Sequence, residues 1–153
     1  MENRPEEAEG YEGNKRKKPD LVIEGKMPGR PEYEFEAKRL KKKDFGIGEY
    51  LGSKGLGCFV TGKYAARYNE AAMLGYIQSD SPEDWQVEIR EKINRKKTIL
   101  DVMSPPQDVE IISDFPNEWK TMHRREVIER SISIFHILLD FRSKGYPAAP
   151  PVL

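Results

Sequence analysis

The 153-residue chain holds one cysteine, Cys58, so an intrachain disulfide and a cysteine-built zinc cage are both excluded. It holds two histidines, His123 and His136, far apart and without metal-ligand spacing. No apolar run approaches the roughly 18 residues that span a bilayer, which argues against a membrane partner. Met1 to Glu7 is acidic and lacks the basic-then-apolar pattern of a secretion signal. These absences predict a soluble, cytoplasmic protein. Charge of one sign is also missing. Lys and Arg total 26, as do Asp and Glu, so the chain does not bind nucleic acid through bulk charge alone.

What is present suits one domain with a modest core. Hydrophobic residues make up 37% and charged residues 34%, with too many aromatic and β-branched side chains for a wholly disordered chain. Three segments are expected. Residues 1–16 form an acidic, polar, extended or disordered segment. Residues 17–146 form an α/β domain, and 147–153 a Pro-rich tail. Within the domain, Leu21-Val22-Ile23 is a short β-rich run and a Gly/Pro turn follows. Tyr33 to Leu40 alternates, which predicts a hairpin. Leu56, Phe59, Val60 and Tyr64 recur at helical spacing, predicting a helix that begins between Glu49 and Gly55 and ends near Arg67. Ala72 to Gln78 reads as a strand. Ser81-Pro82-Glu83-Asp84 opens a helix carrying Trp85, Ile89 and Ile93. Asp108 to Asp114 and Trp119 to Arg124 read as two further strands. Ile128, Ile132, Phe135, Leu138 and Leu139 read as the stripe of a last helix. The expected fold class is α/β, a mixed central sheet between helices.

Alternation places Glu36 and Lys38 on one face of their strand, about 6–7 Å apart. A hairpin from Asp20 brings a second carboxylate beside Glu36. Two carboxylates on one sheet face repel unless a divalent cation lies between them. Mg²⁺ takes one or two carboxylates and leaves its other positions to water and phosphate. A lysine two residues beyond can orient or deprotonate an attacking water and stabilise charge on the attacked phosphate. The triplet by itself also fits a plain cross-strand ion pair on a solvated face.

Pro19-Asp20 followed by Glu36-Ala37-Lys38 resembles the signature of the PD-(D/E)XK nuclease superfamily. Lys18 to Ile23 and Tyr33 to Leu40 resemble its two active-site strands. Phe59 to Tyr64 and Ala71 to Ile77 resemble small bacterial members, some linked to phage defence. The resemblance covers roughly residues 17–80. It implies a restriction-endonuclease-like fold and phosphodiester hydrolysis, of DNA in preference to RNA. Asp20, Glu36 and the Ala37 carbonyl would bind Mg²⁺ or Mn²⁺, and Lys38 would activate water. The family core usually begins with a helix and a strand ahead of the Asp strand. Here 19 polar residues precede Asp20, which implies a shortened N-terminus completed by a protein partner or a second copy. A catalytically silent subunit, serving as a structural or nucleic-acid-binding module in a larger complex, is the alternative.

Two basic clusters, at 15–18 and 38–43, flank this segment. Candidate backbone contacts are Lys17, Lys18, Arg39, Lys42, Lys54 and Lys63, although solvated lysines explain most such clusters. Gly57 to Lys63 follows phosphate-loop spacing until Tyr64, where a Ser or Thr is required, so nucleotide binding is set aside. Tyr64, Tyr68 and Tyr76 fit base stacking or plain packing. Cys58 reads as a small buried residue.

Overall fold

The computed structural model describes residues 17–143 apart from positions 30 and 116. The expected segments 1–16 and 147–153 lie outside the described residues. A six-stranded mixed sheet organises the chain. Its strands are β1 (Leu21–Glu24), β2 (Glu32–Leu40), β3 (Glu70–Ile77), β4 (Val102–Asp108), β5 (Trp119–His123) and β6 (Ile132–Asp140). They run in the order β1-β2-β3-β6-β5-β4. The three central strands β2, β3 and β6 are parallel, and the outer pairings are antiparallel. The helices are α1 (Ile47–Leu51), α2 (Leu56–Val60) and α3 (Pro82–Arg95).

The expected hairpin, the strand after residue 70 and the α3 helix are present. In α3, the Ser81 hydroxyl accepts from the Asp84 amide at 3.1 Å, with Pro82 in the first turn. Three expectations need correction. The helix foreseen from about Glu49 to Arg67 is two short helices, α1 and α2, separated at Gly52–Gly55. A Cβ on Gly55 would lie 2.2 Å from the Tyr50 carbonyl oxygen. That approach ends α1 and starts a new turn. The strand expected at Asp108 to Asp114 lies earlier, as β4, and meets this range only at Asp108. β4 carries Pro105 and Pro106 and pairs irregularly with β5. Proline is tolerated there because β4 is an edge strand. The expected last helix is β6. It is a central strand paired on both sides, and its alternation is obscured because Phe135, Ile137 and Leu139, on the face away from the helices, are apolar as well. His136, expected on that helix, therefore lies in the sheet.

Among the described residues the helices all lie against one sheet face, not on both as expected. That face presents Leu40, Ala71, Met73, Ile77, Ile132, Ile134 and Leu138, which form one core with Tyr50, Leu51, Leu56, Phe59, Trp85, Ile89 and Ile93 of the helices. Gly75 sits among them. A Cβ there would come within 2.6 Å of Leu138 and 2.8 Å of Leu40, so the glycine lets Tyr50 pack onto the sheet. The opposite face presents Tyr33, Phe35, Ala72, Phe135 and Ile137. With Ile111, from the loop after β4, they line a cavity of about 250 Å³. No described helix is long and apolar enough to cross a membrane.

Candidate active site

The hairpin register, with Leu21 opposite Phe35 and Val22 opposite Glu34, brings Asp20 level with Glu36. Asp20 sits in the bend just before β1. Its Oδ2 accepts the Ala37 backbone N–H at 2.8 Å. Strand alternation sends the Ala37 carbonyl to the same side as its N–H. On that side stands Pro19, which has no N–H to donate to the ladder. The Ala37 carbonyl and the Asp20 carboxylate therefore converge at the end of the β1–β2 pairing.

Glu36 lies on the core side of β2 and is only 4% exposed. Its Oε1 accepts from the Lys38 ammonium, which is half-buried. Its Oε2 is buried and has no hydrogen-bond partner. Burial is the main cause that raises the Glu36 pKa above the ordinary carboxylate value. Lys38 opposes the rise, the neighbouring Asp20 charge adds to it, and a hydrogen bond from the Asp20 backbone opposes it. An orphaned carboxylate oxygen in a desolvated place is costly unless something cationic completes it. Asp20, Glu36 and Lys38 thus meet on one sheet face, as the strand pattern implied.

Two further residues build the site. Tyr64, nearly buried, donates its hydroxyl to the Lys18 carbonyl at 3.0 Å and so holds the chain that leads into Asp20. Burial, with Glu36 as the next largest cause, raises the Tyr64 pKa well above its ordinary value. Glu34 accepts the Ala65 N–H at 2.6 Å, clamping the segment after α2 against β2. Glu34 was legible in the sequence, since it shares the face of Glu36 and Lys38. Tyr64 carried no signal for this role, because its contact spans 46 residues.

The basic candidates scatter. Lys17 reaches the Ser53 carbonyl at 3.5 Å, and Lys18, Lys54 and Lys63 are exposed. Arg39 falls on the opposite sheet face, its guanidinium 3.8 Å from the centre of the Phe45 ring. Lys42 is engaged by Glu88 and lies over the Trp85 ring. Cys58 is buried, donating to the Ser53 carbonyl at 3.0 Å. Among the described residues, no group of three or more His, Cys, Asp or Glu side chains could hold a metal. Any ion here would rest on two carboxylates and a carbonyl. No family model matches this chain, and no curated protein or solved structure is significantly similar to it.

Proposed function

We propose that the chain is a metal-dependent nuclease that hydrolyses phosphodiester bonds, on DNA in preference to RNA. The carrying observation is the orphaned Oε2 of Glu36, buried beside Lys38 and level with Asp20. The residues fit a small hard cation: Asp20, Glu36 and the Ala37 carbonyl would hold Mg²⁺ or Mn²⁺. When bound, the ion would supply charge stabilisation at the phosphate and a more acidic attacking water. Glu36 sets the position of the Lys38 ammonium through their contact. From there Lys38 orients a water for attack and stabilises charge on the phosphate. Ala37 fixes the Asp20 carboxylate, and Tyr64 fixes the segment that carries it. The exposed Lys17, Lys18, Lys54 and Lys63 would position the nucleic-acid backbone. Membership of a bacterial anti-phage complex is part of the same proposal and rests on the resemblance.

The test is cleavage of plasmid and single-stranded DNA with Mg²⁺ or Mn²⁺. Asp20→Asn and Lys38→Met are expected to lose at least about 100-fold in rate. Equal rates in all three proteins would end the catalytic reading. One observation favours the silent-subunit alternative. Lys38 is already satisfied by Glu36, and one Asp20 oxygen by Ala37, so the group can also stand as a closed ion-pair cluster. Nucleic-acid binding without cleavage would select it.

A further inference from the structure

Arg125 carries a buried charge that no carboxylate balances. The residue is 2% exposed, and its guanidinium donates only to carbonyls, those of Ala65, Tyr68, Arg130 and Ser131. Burial lowers its pKa, and the neighbouring Arg130 charge lowers it further. Buried charges are ordinarily paired, and arginine does not escape the cost by releasing its proton. Arg125 also lines an open cavity of about 470 Å³, at the end of the sheet where the chain turns from β5 to β6. Exposed Arg124 and Arg130 line the same cavity, together with Ser131. Arg130 reaches the Arg67 carbonyl, and the Arg124 side chain has no partner among the described residues. Glu126 and Glu129 are in the lining too, yet among the described residues neither forms an ion pair with any of the three arginines.

We propose that this cavity is a phosphate-binding site, and that the phosphate it takes belongs to a nucleic-acid backbone. Guanidinium groups suit phosphate because their planar forks meet its oxygens in pairs. A phosphate also has oxygens on several sides, so more than one arginine can hold it at once. A carboxylate has two oxygens, and the two carboxylates already in the lining leave the arginines unpaired. An oxyanion in the cavity would supply the counter-charge that Arg125 lacks.

Position favours a backbone phosphate over a free ion. Arg125 Nη1 donates to the Ala65 carbonyl at 3.0 Å, and the Ala65 N–H donates to Glu34, two residues before Glu36. Tyr64 donates to the Lys18 carbonyl at 3.0 Å, just ahead of Asp20. One segment, 64–68, is thus fastened to the arginine cavity at one end and to the Asp20, Glu36 and Lys38 group at the other. Exposed Lys63 and Arg67 lie beside and within that segment and add positive charge to it. Contacts to phosphate set where a strand lies on the protein without reading its sequence. The binding site stands whether or not the chain cleaves. That the bound strand leads to a scissile phosphate rests on the hydrolytic reading.

The test is binding of the full chain to labelled single-stranded and duplex DNA in EDTA, read by fluorescence anisotropy over a salt series. The variant with both Arg124→Gln and Arg130→Gln is expected to raise the dissociation constant about tenfold or more and to flatten the salt slope by about 1 to 2. Both positions are exposed, so it should keep the wild-type circular dichroism. Arg95→Gln with Lys97→Gln removes the same charge from exposed positions at the end of α3 and should change affinity less than about threefold. Wild type gives a reading that needs no variant: the Nε–H signals of Arg124, Arg125 and Arg130 should shift as oligonucleotide is added. The proposal is overturned by a wild type that does not bind DNA, by a cavity variant that binds like wild type, or by a control that weakens binding as much. It is equally overturned by arginine signals that ignore the oligonucleotide, or by polyglutamate that competes as well as DNA of equal charge. Inorganic phosphate that shifts those signals while DNA does not would give the cavity to the free ion and overturn the backbone source. Arginine-dependent binding by a chain that leaves plasmid uncut would uphold this site and remove the hydrolytic reading.

Discussion

Arg125 shows how far a single side chain can organise this molecule. It is 2% exposed, and its guanidinium donates to the carbonyls of Ala65, Tyr68, Arg130 and Ser131. Burial lowers its pKa, and no carboxylate is among these partners. Removing it would leave several carbonyls without donors. Arg125→Met is therefore expected to destabilise the fold by about 3 kcal/mol or more, read from the urea midpoint. The same segment carries Tyr64 and Ala65, so the variant should also loosen the Tyr64–Lys18 contact. At Gly75 the reasoning is steric. Leu138 and Leu40 leave no room for a methyl group, and Gly75→Ala should cost about 1–3 kcal/mol in a thermal or urea melt.

Among the elements, α3 was the most readable because its signals are local. Ser81, Pro82 and the following acids define its start whatever packs against it. Ser81→Ala should remove the bond to the Asp84 amide and cost about 1 kcal/mol, measurable by chemical denaturation. β6 is the opposite case. Ile128, Ile132, Phe135 and Leu139 happen to fall at helical steps, but Ile132, Ile134 and Ile137 are β-branched and prefer extended backbone. A strand that is apolar on both faces loses its alternation and cannot be told from a helix by period alone. β4 was misplaced because Pro105 and Pro106 argue against a strand until its place at the sheet edge is known.

Across the whole molecule, one buried chain of hydrogen bonds joins α1, the paired strands β5 and β6, and the turn after α3. His123 Nδ1 lies 2.7 Å from the Leu100 carbonyl, which can only accept, so that nitrogen carries the proton. In the neutral ring Nε2 then accepts from the Thr121 hydroxyl at 2.8 Å. That hydroxyl accepts from His136 Nε2–H at 2.9 Å, and His136 Nδ1 accepts from the Tyr50 hydroxyl at 2.9 Å. The Trp119 ring stacks on His136 at 4.8 Å. Only neutral imidazoles satisfy every link. Burial lowers both histidine pKa values below the ordinary 6.5. The unfolded chain therefore binds more protons as pH falls. The stability from this chain is complete above about pH 6.5 and is lost below it. The urea midpoint should fall between pH 7 and pH 5, and a level midpoint over that range would refute this account.

The sequence by itself determined the β1–β2 hairpin, the capped start of α3 and the shared face of Glu36 and Lys38. Turn chemistry, capping and a period of two act within a few residues. Other features were decided by tertiary structure alone. The orphaned Glu36 oxygen, the Tyr64 hold on Lys18, the Arg125 anchor and the histidine chain join residues widely separated along the chain or depend on burial. Neither distance across a fold nor exclusion of water is written in local spacing. The edge at β1 is of the same kind, since among the described residues Leu21-Val22-Ile23 becomes a surface only once the sheet has given it a neighbour on one side.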